Sequence, residues 1–147
     1  MPFKRPESVL VVIYTADGQV LLLRRSDHPD FWQSVTGSLG WGETPEAAAL
    51  REVKEETGLD AGAALQDLGV QNVFPIFPRW RHRYAPEVNE NIERAYALPL
   101  PQEQPINLSP EHSEYSWFSF ADAAQKVGSW TNREAIERIA AGASKGS

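Results

Sequence analysis

The sequence predicts one mixed α/β domain, a mixed central sheet with helices on both faces. Three observations point there. Short apolar, β-branched runs recur along the chain and interleave with helical stretches without strict alternation. One helix, between Thr44 and Gly58, has both of its ends written in residues. At 147 residues the chain can bury one respectable core and is short for two.

Taken in order, residues 8–14 are a β-branched run that reads as a strand buried on both faces. A turn at 16–19 and a second apolar run at 20–25 make it a hairpin. After a loop at 26–30, residues 31–36 form a short strand that runs straight into Gly37. A glycine-punctuated loop follows, and then the helix. Thr44 can accept from an orphan N–H at its start, Pro45 has no N–H to waste there, and Gly58 supplies a left-handed end.

Beyond a loop at 60–64, residues 65–74 read as a strand stopped by Pro75, and 91–98 as another stopped by Pro99 and Pro101. Residues 102–110 are loop and 115–118 a strand. A short helix follows from Ser119 to about Val127, broken by Gly128 and Ser129. A last helix, capped by Thr131 or Asn132, runs to about Ala141 with Ala135, Ile136 and Ile139 inward. A frayed tail is expected from Gly142.

Composition narrows the function. Lys and Arg number 14 against 20 Asp and Glu, a net charge of −6, which argues against a general binder of nucleic acid or anionic membrane. Without cysteine no disulfide framework exists. The start of the chain has no signal-cleavage region and no apolar run reaches membrane-spanning length, so a soluble cytoplasmic protein is expected. Five tryptophans and eleven prolines suggest an aromatic-lined pocket with stiff loops.

Chemistry concentrates on the helix. Leu50, Val53 and Thr57 share a side that can pack on a core, while Glu52, Glu55 and Glu56 share another. Like charges at that spacing repel. Such a face is either solvated, with Arg51 pairing Glu55, or neutralised by a hard divalent cation such as Mg²⁺. A second concentration lies at 77–86, where Arg79, Arg81, His82 and Arg83 alternate with Trp80 and Tyr84. If extended, the arginines face one side and the rings the other. This segment is either a grip for phosphates and a flat ring or a solvated edge strand.

The full pattern decides more than its parts. Gly37, Glu43 and the run Arg51-Glu52-Val53-Lys54-Glu55-Glu56-Thr57-Gly58-Leu59 resemble the Nudix box at every defining position over residues 37–59. The resemblance implies a single Nudix hydrolase domain over 1–147, an α/β/α sandwich, that cleaves nucleoside-diphosphate-like compounds with Mg²⁺ or, in its place, Mn²⁺. Further segments extend the resemblance toward one subgroup, the bacterial dihydroneopterin triphosphate diphosphatases. They are residues 4–6, 30–37, 81–86, Glu111-His112, Ser129-Trp130 and Asn132-Arg133. Gly40-Trp41, Pro75 and Pro78 depart from its usual residues.

That resemblance implies a small-molecule triphosphate substrate opened between the α and β phosphates, giving dihydroneopterin monophosphate and pyrophosphate in folate biosynthesis. It implies metal ligands at Glu52, Glu56 and Glu111, with Glu55 or Glu56 as the base. It also implies substrate contacts at Lys4, Arg24, Thr36, Phe74, Phe77 and Ser129, to which the phosphate reading of the basic segment adds Arg79, Arg81, His82 and Arg83. Glu43 and Arg51 are expected to brace the loop, and His28 and His112 to be surface or loop residues. The oligomeric expectation is a monomer or small homo-oligomer. Rival functions are a general (deoxy)nucleoside triphosphate pyrophosphohydrolase for dATP or oxidised purines, an RNA-end pyrophosphohydrolase, and a non-catalytic nucleotide sensor. The last predicts a damaged box, whereas the three glutamates and Arg51 are all present.

Overall fold

The computed structural model describes residues 3–145, and around one sheet it orders β1 (Glu7–Thr15), β2 (Gln19–Arg25), β3 (Trp32–Gln33), β4 (Val35–Ser38), α1 (Pro45–Thr57), β5 (Gln66–Pro75), β6 (Glu90–Leu100), β7 (His112–Ser119), α2 (Phe120–Lys126) and α3 (Trp130–Lys145). The sheet runs β3-β2-β1-β6-β5, with β4 also on β1 and β7 also on β2. Among the described strand pairs β1 and β6 run parallel and the others antiparallel, so the sheet is mixed.

β1 is buried on both faces because both are covered. Val9, Val11 and Ile13 pack with Ala48, Ala49 and Val53 of α1. Leu10 and Val12 pack with Ala123 of α2 and with Ile136 and Ile139 of α3. A strand with helices over each face has no solvent side on which to place polar residues, hence its continuous apolar run. The result is the expected α/β/α layering.

The hairpin of β1 and β2 pairs beside its turn, at Tyr14 and Val20, and then opens. Residues 32–38 fill the opening: β3 pairs with β2, and β4 pairs with β1. The single strand expected at 31–36 is therefore two, and the second extends through Gly37, which lies opposite Val9. This insertion carries the glycine loop to the middle of the sheet and sets α1 across it.

Other boundaries also differ. β6 runs through Pro99, since β5 pairs only as far as Ala97 and leaves that edge open, where a missing N–H breaks no ladder bond. Residues 78–83 form a 3-10 turn, not an extended strand, with the Trp80 N–H donating to the Phe77 carbonyl at 2.9 Å. The alternating faces expected for Arg79, Arg81 and Arg83 therefore do not exist. The hydroxyl accepting from the Asn132 N–H at the start of α3 belongs to Ser129, at 3.2 Å, rather than to Thr131 or Asn132. α3 continues past Gly142 to Lys145, where fraying was expected; residues 146–147 lie outside those described. Among the described residues no helix is long and apolar enough to cross a membrane.

Candidate active site

The site starts from the loop that α1 closes. The Thr44 hydroxyl accepts from the Ala47 N–H at 3.2 Å, and Gly58, at φ 81°, donates to the Lys54 carbonyl at 2.9 Å. Arg51 reaches back from α1 and grips both oxygens of Glu43 at 2.9 Å each. It also donates to the Ser38 carbonyl at 3.0 Å and to Glu52 Oε1 at 2.5 Å. Glu43 in turn accepts from the Gly40 N–H at 2.8 Å. Arg51 first and Gly40 second hold the Glu43 carboxyl down at about 2, and the same pairing raises the Arg51 guanidinium above its usual value. This is the expected brace. Arg5 adds a second clamp, donating to the carbonyls of Gly40 and Glu43 at 3.1 and 2.8 Å.

Glu52 and Glu56, one helical turn apart, are turned inward, 9 % and 2 % exposed. The Glu52 carboxylate lies over Gly37 so closely that a Cβ there would fall inside it. Neither Glu56 oxygen has a hydrogen-bond partner among the described residues. Burial first, then the facing Glu52 carboxylate, push the Glu56 carboxyl up to about 10. A buried carboxylate with no donor to satisfy it is expensive, and a cation is the partner that lets it ionise. These oxygens fit a hard divalent metal, although no closed cage of three or more acidic or histidine side chains exists among the described residues.

Two overlapping cavities open beside Glu52, and Glu56 lines neither of them. The first, about 730 Å³, is lined by Glu52 and Glu111 together with Lys4, Arg25 and Arg83. The second, about 600 Å³, is lined by Phe31, Arg79, Ser129 and Trp130. Thr36, Phe74, Phe77, Trp80 and Glu93 belong to both. Arg25 and Asp27 also belong to both, so charged and aromatic side chains mix in the groove where the cavities overlap, while Glu52 and Glu111 line only the first and Phe31 and Trp130 only the second. Phe77, 59 % exposed, is a wall of this groove and not core.

Several expected contacts lie elsewhere. Arg24 donates to the Pro29 carbonyl at 2.7 Å and pairs with Glu114 at 3.1 Å; its neighbour Arg25, on the opposite face of β2, lines the groove instead. Arg81 is tied to Asn89 at 2.8 Å and to the Pro86 carbonyl at 3.1 Å, and neither it nor His82 lines either cavity. Glu55 points outward, 3.4 Å from Arg51. His112, expected at the surface, is 5 % exposed, with Nε2 at 3.9 Å from Glu56 Oε1 and 3.3 Å from the Gln33 amide. Burial holds its imidazole below the ordinary value. It is buried because β7 begins at His112 and its bulged register against Arg25 turns the ring inward.

Arg25 and Glu93 were not singled out as site residues from the sequence, yet both line the groove; Trp80 and Tyr84, read from the sequence as rings that could stack on a flat ligand, line it too. A signal for Glu93 did exist. It shares strand parity with Ala95 and Ala97, whose side chains belong to the core, so a charge there faces inward.

The NUDIX domain family model matches residues 4–139. The chain belongs to the Nudix family. It is a Nudix pyrophosphohydrolase, and its layered mixed sheet is the Nudix fold. It is 50 % identical over 141 residues to the dihydroneopterin triphosphate diphosphatase of Escherichia coli K12, covering 93 % of each chain. The Haemophilus influenzae protein of the same name is 42 % identical over 142 residues, covering 94 % of this chain and 89 % of the relative. The solved E. coli dihydroneopterin triphosphate pyrophosphohydrolase superposes with a TM-score of 0.85 at 49 % identity, covering 94 % of this chain and 97 % of that one. Within this Nudix domain, the loop braced by Glu43 and Arg51 and the inward pair Glu52 and Glu56 are the box in three dimensions.

Proposed function

We propose that this Nudix enzyme hydrolyses dihydroneopterin triphosphate to dihydroneopterin monophosphate and pyrophosphate, as a step of folate biosynthesis. The observation that supports this most is the pair of overlapping cavities, in which Glu52, Glu111, Lys4 and Arg83 line only the first, Phe31 and Trp130 only the second, and Phe74, Phe77 and Trp80 both. A triphosphate attached to a flat bicyclic ring needs both sets of side chains. The names of the relatives that cover nearly the whole chain agree with that reading.

Glu52, Glu56 and Glu111 are assigned to hold Mg²⁺, with Mn²⁺ able to substitute. Bound there, the cation supplies neutralisation of the phosphate oxygens and makes water easier to deprotonate. Lys4, Arg25 and Arg83 donate to phosphate oxygens and hold the charge that builds on the departing pyrophosphate. Phe74, Phe77 and Trp80 flank the ring. Water opens the anhydride between the α and β phosphates, its oxygen ending on one product and its proton on a base. With Glu52 and Glu56 committed to the cation, Glu55 is the assigned base, a role for which its carboxylate must leave Arg51 and turn into the groove. The reading treats the chain as one catalytic domain, a monomer or small homo-oligomer acting in the cytoplasm.

Initial rates with Mg²⁺ on dihydroneopterin triphosphate, dATP, 8-oxo-dGTP and GTP, assayed for pyrophosphate, test it. A kcat/KM preference for the pterin of tenfold or more, about 1.4 kcal/mol of transition-state binding, is expected. A flat profile or a preference for dATP makes the enzyme a general nucleotide hydrolase.

A further inference from the structure

Glu93 is 6 % exposed, yet it lines both cavities at the place where they join. Its Oε1 has no hydrogen-bond partner among the described residues. Its neighbour Asn91, which lines the first cavity, also has a buried Oδ1 without a partner among the described residues. The Asn91 amide donates to the Ser8 hydroxyl at 2.8 Å. The Asn132 side chain accepts from the Ser34 N–H and donates to the Ser34 hydroxyl, both at 2.9 Å. Burial raises the Glu93 carboxyl above its ordinary value, opposed by the Thr131 hydroxyl. An acceptor this enclosed is costly to leave without a donor. No cation of the phosphate-binding end pairs with it through a hydrogen bond or ion pair among the described residues.

The groove around this acceptor is shaped for a flat ring, with Phe74, Phe77 and Trp80 shared between the cavities and Phe31 and Trp130 beyond. Flat heterocycles differ in the edge they offer to a carboxylate. A 2-amino-4-oxo pyrimidine ring, present in pterins and in guanine, carries a ring N–H beside an exocyclic NH₂. Those two parallel donors match the two oxygens of one carboxylate. Adenine offers at the corresponding edge an unprotonated ring nitrogen beside its amino group, so one oxygen would meet a lone pair.

We propose that Glu93 is the specificity residue of the groove, pairing through its carboxylate with the N–H and NH₂ donors of a 2-amino-4-oxo pyrimidine ring and so selecting pterin or guanine over adenine. This rests on the proposed triphosphate hydrolysis and adds to it the part of the substrate that is read. Discrimination of this kind is strong, because the wrong ring leaves a buried acceptor unpaired.

The experiment has two arms. In the first, kcat/KM is measured for dihydroneopterin triphosphate, GTP and ATP with the wild type and Glu93→Gln, thermal unfolding confirming that the variant is folded. The ratios of pterin to ATP and of GTP to ATP are expected to fall by about tenfold or more, mostly through KM. In the second, binding of pterin and of 3-methylpterin to the wild type without metal is followed by tryptophan fluorescence, which needs no variant. The methyl group removes one donor, and binding about tenfold weaker is expected. Ratios unchanged in Glu93→Gln, or equal affinity for the two pterins, overturn the proposal. If the wild type does not hydrolyse the pterin triphosphate, the functional reading fails by itself. The role of Glu93 is then decided by the GTP to ATP ratio and by the binding of the two pterins.

Discussion

The carboxylate of Glu52 occupies the space in which any side chain at Gly37 would begin. Strand β4 and helix α1 therefore meet at the site with no room between them. Gly37 is not among the glycines with positive φ, so an alanine fits its backbone and the carboxylate must give way. Gly37→Ala is expected to lower Mg²⁺-dependent kcat/KM by about 100-fold, since a displacement near 1 Å at a positioned group costs that much. The melting temperature should move far less than the rate. An unaltered rate would show that Glu52 is not needed where it stands.

Glu56 predicts a separation of stability from activity. Its carboxyl, pushed up to about 10 by burial and by Glu52, prefers the neutral form when no cation is present. Glu56→Gln is neutral and nearly the same shape, so it should unfold in chelator no more easily than the wild type. Added Mg²⁺ stabilises whichever protein binds it in the folded state. The thermal shift with Mg²⁺ should therefore shrink in the variant, and turnover should fall by at least about 100-fold. A full Mg²⁺ shift in Glu56→Gln would remove this residue from the metal set.

The arginines make paired predictions. Arg25 and Arg83 line the groove, Arg25 while paired with both oxygens of Asp27 at 2.8 Å, whereas Arg24 and Arg81 are held by Glu114 and Asn89 outside it. Arg25→Ala and Arg83→Ala are each expected to raise KM for a triphosphate by about tenfold, the worth of one charge-assisted hydrogen bond. Arg24→Ala and Arg81→Ala should leave KM within about twofold, since the exposed Arg24–Glu114 ion pair and the hydrogen bonds of Arg81 to Asn89 and Pro86 lie outside the groove. Steady-state kinetics on the four variants decides it, and a KM effect at Arg81 equal to that at Arg83 would return the segment to a single basic strip.

Much of this fold was legible because its signals are local. The Thr44 cap, Pro45 and Gly58 bound α1 through contacts within a few residues, and the apolar run of β1 states its two-sided burial directly. The brace of Glu43 by Arg51 was legible for another reason: one motif holds both residues. What was missed depends on long-range register. Whether Arg24 or Arg25 faces the groove is set by the pairing of β2 with β3 and β7, with its irregularity between those two residues. His112 is buried by that same register. The 3-10 turn at 78–83 replaced an extended reading because the Phe77 and Arg81 carbonyls take local donors, and among the described residues no strand pairs with it.

The brace itself gives a prediction with a sign. Glu43 sits at about 2 in the folded chain against an ordinary value of 4.5, chiefly because Arg51 grips both of its oxygens. A depressed carboxylate contributes stability that is complete above the unfolded value and is lost as pH falls through the folded one. At face value the depression is worth about 3 kcal/mol. Arg51 is 35 % exposed, however, and solvent screening brings the pair nearer about 1 kcal/mol. Glu43→Gln should thus be less stable than the wild type by about 1 kcal/mol at pH 7, and by the same amount down to about pH 5. Between 4.5 and 2 the wild type takes up the proton that the variant never binds, so the gap should close from the wild-type side. Urea titrations of both proteins across this range measure the gap directly. A difference that stays constant to pH 2, or widens as the pH falls, would mean that Glu43 holds the loop through packing or its contact with the Gly40 N–H and not through the charge of Arg51.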